Sequence, residues 1–408
     1  MNAITPIVTD LSDERLFADG PPHELFARLR AEAPVHWSEP EDGPGFWSVT
    51  RAGDIAAVSR DTETFSSHEG GIWLHEDTLA PLDVLRNLLI FKDPPEHTKY
   101  RLLVQKVFTP RVVARLEPAV RRRTVRLLDA VGGEGRADLV RDVAVPLPLE
   151  TIAELLGIED AEIPRMIDWT ERLERGVADS RPDGVAALGE MAEFLSEMVP
   201  RRRADPRDDL VTSLAEAEIE GERLTDVEMT LFFAILVFAG NDTTRNTISG
   251  GTLALLERPD QLGKLREDRA LIPSAVEEML RWVSAIQYFA RTATRDTELG
   301  GQRIKAGQRL LLWYGSGCRD ERVYDRPDEF IVDRVEHQHQ AFGGGGRHFC
   351  LGSGLARLEL RVYLEELLDR VPDLQADGPP SRIGSLWVNG LTSLPVRFTP
   401  AGNGDHRG

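Results

Sequence analysis

Only two cysteines, Cys318 and Cys350, occur in this chain of 408 residues. That scarcity excludes a disulfide framework and any metal centre built from four cysteines, so each thiol has to be judged singly. Long hydrophobic runs are missing as well. The longest, Leu231–Gly240, falls well short of the ~20 residues that a membrane-spanning helix needs. The first residues, MNAITPIVTDLSDERLF, lack the basic start and apolar stretch of a signal peptide, which makes the cytosol the expected compartment. Positive charge is in deficit: 49 Lys and Arg stand against 68 Asp and Glu, a net charge of -19. A nucleic acid is therefore not an expected partner. Internal repeats and low-complexity linkers are absent too. One compact domain over residues 1–408 is expected, ordered from about 15 to 400, with 401–408 a flexible tail.

Hydrophobic residues make up 41% of the chain, enough to bury a large core. Apolar residues recur at three- and four-residue spacing from about Pro94 to Arg281, which predicts a mainly helical protein. One predicted helix opens at Thr225 with Glu228 three residues later, a capping-box pattern, and runs to Arg258 before Pro259. It spans roughly 34 residues and about 50 Å, enough to cross the whole domain. Its apolar first half is interrupted by Gly240, Asn241, Asp242, Thr243 and Thr244, helix-weakening residues where burial should be deepest. Short strands are expected at Gly45–Thr50, Thr292–Leu299, Gln302–Ile304 and Arg309–Tyr314. A last helix, Leu351–Val371, follows Cys350 directly.

Around Cys350 the chain reads AFGGGGRHFCLG, four glycines leading into a cysteine at a helix start. Glycines permit close backbone approach, and free amides with the helix dipole favour a thiolate there. Three other readings stay open at this point. Cys350 could be an inert buried residue, the usual fate of a lone cysteine and the reading given to Cys318. The glycines could form a phosphate loop, although they fit neither common register. Or His337, His339, His348 and Cys350, within fourteen residues, could bind zinc. Glu278 and Arg281, three apart on a predicted helix, would by themselves be an ordinary surface pair worth ~0.2–0.5 kcal/mol.

Taken in order along the chain, Ala239–Thr243 (AGNDT), Glu278–Arg281 (EMLR) and Phe342–Gly352 (FGGGGRHFCLG) resemble the bacterial cytochromes P450, over nearly the whole length. The resemblance implies that family's fold, mainly α with small β-sheets, and a haem b held by the thiolate of Cys350. Such a ligand pushes electron density toward iron and favours O–O cleavage. Carried over by position, His97, Arg101, Arg291 and His348 would bind the haem propionates, and Phe342 and Gly344 would belong to the ligand loop. The family loop usually places its Phe seven residues before the cysteine, whereas Phe342 is eight before it. Gly346 and His348 are in register, so one extra residue sits at the loop tip. Glu278, Arg281 and Arg334 would form the family's structural charge triad. Asp242 and Thr243 would relay protons for dioxygen activation, a carboxylate behind a hydroxyl, and Gly240 would let the helix widen locally.

The family's layout also implies a substrate pocket at Trp73, Leu74, Leu88, Val237, Phe238, Ala239, Val283, Ser284, Ile286, Gln287 and Trp387. Most of these are apolar, so a hydrophobic terpenoid, steroid-like or natural-product substrate is expected, with Ser284, Gln287 and Asn389 able to orient it. No flavin or iron–sulfur motif follows. Electrons are then expected from a separate ferredoxin and reductase, docking near Lys99, Lys106, Arg347 and Arg357. The resemblance favours a monooxygenase over oxidative coupling or rearrangement chemistry, and over a non-catalytic haem sensor or a zinc protein.

Overall fold

The computed structural model describes residues 10–40, 43–74, 81–179, 182–219, 221–371 and 373–400. The expected tail, 401–408, lies outside them. The chain is mainly helical, built around the long helix Asp226–Leu256. Thr225 caps it: its hydroxyl accepts from Glu228 N, and Glu228 Oε2 accepts from Thr225 N at 2.8 Å. At the other end Arg258 is forced out of helical geometry by Pro259, which opens the next helix, Pro259–Glu267.

Helices Pro146–Leu156, Ile163–Asp179, Pro182–Ala204, Ile272–Val283 and Ser353–Arg370 all touch the long helix. Its first half joins a cluster through Met229, Phe232 and Phe233, and its second half joins another through Ile248, Leu253 and Leu255. A helix enclosed this way is apolar nearly all round. Among the described residues no helix is long and apolar enough to cross a membrane.

The polar stretch Gly240–Thr244 lies inside the helix. The helix is regular from Asp226 to Leu256 with no local widening at Gly240. The hydroxyls explain why. Thr243 donates to Ala239 O at 2.9 Å, Thr247 to Thr243 O at 2.9 Å and Thr252 to Ile248 O at 2.7 Å. Each of these three hydroxyls is satisfied by the carbonyl one turn back, leaving the ladder intact.

The β-rich part is a five-stranded sheet in the order Val35–Ser38, Phe46–Val49, Arg309–Trp313, Tyr288–Ala293, Phe65–Ser66. Arg309–Trp313 runs parallel to Phe46–Val49 and antiparallel to Tyr288–Ala293. Side chains alternate along the central strand: Leu310 and Leu312 enter one cluster, Leu311 and Trp313 another. The expected strand Thr292–Leu299 is divided. Its first part begins earlier, at Tyr288, while Thr297–Leu299 pairs with Gln302–Ile304 in a separate hairpin. Arg295 and Asp296 turn the chain between them.

A single buried carboxylate fixes the irregular stretch before Cys350. Glu278 Oε1 and Oε2 accept from Arg281 at 2.8 and 2.7 Å, and Oε2 also accepts from Arg334 Nε at 3.0 Å. All three residues are buried. The guanidiniums then bind backbone carbonyls: Arg281 those of Cys318, Pro327 and Glu329, and Arg334 those of Asp325, Arg326 and Glu329. Glu278 also accepts from Ile331 N at 2.7 Å. Removing the carboxylate strands two buried cations. Glu278→Gln should lower the unfolding free energy by about 3–5 kcal/mol, measured by urea denaturation, and purified protein should carry less haem per chain.

Candidate haem-binding site

Cys350 lies just ahead of the helix Ser353–Arg370. Its N–H donates to Phe342 O at 3.0 Å, closing the glycine loop on itself. Gly343, Gly345 and Gly346 have φ of 91°, 92° and 76°, which other residues adopt only at a cost. A Cβ on Gly346 would come within 2.5 Å of Ser59 O, and one on Gly344 within 2.4 Å of Ser59 Oγ. Gly344 allows a close approach to the helix Ala52–Arg60. The extra residue at the tip leaves Phe342 against its own loop: its ring meets Phe349 at 6.1 Å, and the Arg357 guanidinium lies 4.6 Å over it.

Two further contacts anchor the loop. Arg101 Nη2 donates to Phe349 O at 2.7 Å, tying the loop to the helix Glu96–Val104. Arg357 binds Glu277 at 2.6 and 2.9 Å, and His339 Nε2 lies 3.1 Å from the same carboxylate. Burial pushes the Cys350 thiol up from its usual value, against backbone N–H groups of Gly352 and Ser353 and the charges of Arg101 and Arg357. The thiolate is then favoured only with a cation bound to the sulfur, and Cys350 keeps an exposed side where one can bind, the chemistry of a metal ligand. Zinc finds no such set: among the described residues no three His, Cys, Asp or Glu converge as a metal site. Cys318 is buried in the core, accepting from Gln340 N.

His97, Arg101, Arg291 and His348 come together as a cationic group. The His97 and His348 rings are 4.3 Å apart, and Ser67 Oγ lies 3.3 Å from His348 Nε2. Burial, reinforced by Arg101, lowers His97 to about 4, and its Nδ1 is buried without a partner. Burial, with the charge of Arg291, also holds His348 well below the usual imidazole value. Arg291 is 3% exposed and bonds only to a backbone carbonyl, Ala290 O at 2.7 Å. Neither Arg101 nor Arg291 forms an ion pair among the described residues. The nearby Asp93 is taken up by the Ser66 hydroxyl and Ser67 N. Uncompensated buried cations are costly, so this donor set fits the two propionates of a haem.

On the long helix, Ile235, Ala239 and Thr243 follow at one-turn intervals on one face, and Phe238 lies beside them. Asp242, one residue round, is buried and its Oδ1 accepts from Arg245 Nη2 at 2.5 Å. An apolar cavity is lined by Trp73, Leu85, Leu88, Leu173, Leu231 and Phe238 among others.

Several expected pocket residues do not line this cavity. Val237 packs in the helical core with Leu149 and Phe233. Leu74 joins the cluster of Phe17 and Trp313, where its N–H meets Tyr288 Oη. Val283 lies against the long helix at Gly250. Ser284 caps the helix Ile272–Val283 and faces Cys318 Sγ at 3.9 Å. Gln287 is held by Ser385 O at 2.6 Å, and Asn389 by Val283 O at 2.5 Å. Ile286 pairs with Val388 in an isolated bridge.

A family profile described as Cytochrome P450 matches residues 173–372. The chain is 37% identical over 406 residues to the steroid C26-monooxygenase of Rhodococcus jostii, covering 97% of this chain and 86% of the relative. It is 38% identical over 388 residues to the methyl-branched lipid omega-hydroxylase of Mycobacterium tuberculosis, covering 92% and 90%. Among solved structures, cytochrome P450 CYP268A2 of Mycobacterium marinum, in complex with pseudoionone, superposes with a TM-score of 0.87. The two share 36% identity, and the match covers 97% of this chain and 100% of the other. The fold and the single-thiolate site define a haem-thiolate protein, and the chain belongs to the cytochrome P450 family. It is a haem-dependent monooxygenase.

Glu277 supplies a pH test of the loop. Burial would raise its carboxyl, but hydrogen bonds from Arg357 and His339 outweigh it and bring the value from 4.5 to about 2. A carboxyl lowered on folding stabilises the fold above its unfolded pKa, and that contribution disappears as pH falls through the folded one. Glu277→Gln should therefore unfold at a lower temperature than the parent at pH 7. The gap should narrow as pH drops from about 4.5 toward 2, as read by calorimetry.

Proposed function

We propose that this monooxygenase inserts oxygen into a hydrophobic small molecule of terpenoid, steroid-like or branched-lipid type, with electrons from a separate ferredoxin and reductase. The cavity carries this reading. Leu85, Leu88, Leu173, Leu231 and Ile235 close it with Phe238, and no charged side chain lines it. Apolar walls recognise by area, at roughly 25 cal/mol per Å² buried. The relatives named for steroid and branched-lipid oxidation, and the neighbour that holds pseudoionone, agree with this class.

The haem, when bound, supplies oxygen activation. Cys350 would hold its iron, and His97, Arg101, Arg291 and His348 would receive its propionates. Thr243 and Asp242 then act as the proton path. The Thr243 hydroxyl, accessible on the helix face and bonded back to Ala239 O, can turn to donate toward the reacting oxygen. Asp242, held by Arg245 one residue away, replaces the proton from solvent. For the electron donor, exposed Leu102 and Phe349 lie on elements next to the cysteine, with Lys106 and Arg347 also exposed. An acidic ferredoxin complements such a patch.

Turnover of pseudoionone and testosterone with a ferredoxin, its reductase and NADH tests the proton path. Thr243→Ala should keep its spectrum and substrate binding while product formed per NADH consumed falls by roughly 10²-fold. An unchanged ratio would remove Thr243 from the path.

A further inference from the structure

The helix Glu96–Val104 carries His97 and Arg101, yet little holds it in place. Only His97 and Val104 of its nine residues are buried, and a helix that short is marginal by itself in water. Two of its ties run to the cysteine loop: the His97 ring lies against His348, and Arg101 Nη2 donates to Phe349 O.

Tyr100 supplies a third tie, in another direction. It neighbours His97 on the helix surface, three residues on. Its Oη donates to Glu228 Oε1 on the long helix. Its ring stacks on Phe232, one turn after Glu228, at 5.9 Å and 19°, and the Lys92 ammonium lies 4.4 Å over it. A phenylalanine would make both ring contacts, so what the tyrosine adds is the bond to a carboxylate.

Glu228 is itself fixed. Its Oε2 accepts from Thr225 N at 2.8 Å and from Thr225 Oγ1 at 2.7 Å, which completes the capping box. Capping uses that oxygen alone, and Oε1 goes to a residue 128 positions away in the chain. Burial would raise the Glu228 carboxyl, but the bonds from Tyr100 and Thr225 outweigh it and hold the group below its usual value. The bond from Tyr100 is therefore charge-assisted.

We propose that Tyr100 and Glu228 are positioning residues for the haem: through them the capped end of the long helix holds the helix that presents His97 and Arg101. This rests on the reading of those two residues as propionate donors. The long helix also carries Asp242 and Thr243, so one carboxylate sets the register between the propionate side of the site and the proton path.

The test is the rate at which the haem-loaded protein releases haem to excess apomyoglobin, together with the haem midpoint potential. Tyr100→Phe should release haem roughly fivefold faster. Its potential should fall, because cations held less firmly at the propionates stabilise the ferrous form less. Adding Glu228→Gln to Tyr100→Phe should bring no further increase in rate. Thr225→Val removes the capping hydroxyl and leaves Tyr100 its acceptor; it should lower the thermal midpoint while keeping the parent release rate and potential. Parent values in Tyr100→Phe, a further rise on adding Glu228→Gln, or equally fast release from Thr225→Val would overturn the role. Arg101→Gln separates this from the reading beneath it. Faster release there, with parent values in Tyr100→Phe, sinks the positioning role alone, and parent values in both sink the propionate reading as well.

Discussion

The carboxylate of Glu278 is the constraint on which the rest of the site depends. Two guanidiniums share it in the buried interior, and each then reaches carbonyls of a segment with no regular structure of its own. Next to it on the same helix, Glu277 points the other way and holds Arg357 and His339, at the two ends of the cysteine loop. One short helix, Ile272–Val283, thereby fixes both the approach to the loop and the loop itself. Such a network is weak evidence of net stability, since two buried cations offset much of what they gain. What it supplies is position: without it nothing regular would place Cys350 opposite the long helix.

The two sides of the site use charge differently. Near the cysteine, Arg101 and Arg291 gather positive charge that has no carboxylate partner among the described residues, beside His97 and His348, whose imidazoles burial keeps neutral. This is a host for a dianionic ligand held by neutral and cationic donors together. On the long helix the charges are matched locally, Asp242 with Arg245, and the hydroxyls are bonded back to the helix. The resting arrangement is closed, and a proton path through Thr243 requires only rotation of one side chain.

Much of this was legible in the chain. The Thr225–Glu228 capping box, the helix end before Pro259 and the buried Glu278–Arg281–Arg334 set follow from spacing and from the family resemblance. The pocket was less legible. Leu231, Ala234, Ile235 and Phe238 stand at the spacing of one helix face, and that signal alone would have found the first three and turned Val237 away. Leu173 and Leu188 come from helices whose docking onto the long helix no local pattern states. Gly344 shows that a glycine announces close approach without naming the neighbours, among which the structure places Ser59. Gly240 suggested a local widening because composition does not reveal that the Thr243 hydroxyl has the Ala239 carbonyl to meet within a regular helix. Ser284, Gln287 and Asn389, expected to orient substrate, each make a backbone or thiol contact that only the tertiary structure supplies.

The central proposal is that the Cys350 thiolate is the iron ligand. The direct measurement is the absorption spectrum of the dithionite-reduced protein under carbon monoxide, for the parent and for Cys350→Ser. The parent should show the red-shifted Soret band that marks thiolate ligation, and Cys350→Ser should lack it. A parent protein without haem, or a red-shifted band that survives in Cys350→Ser, would contradict the assignment.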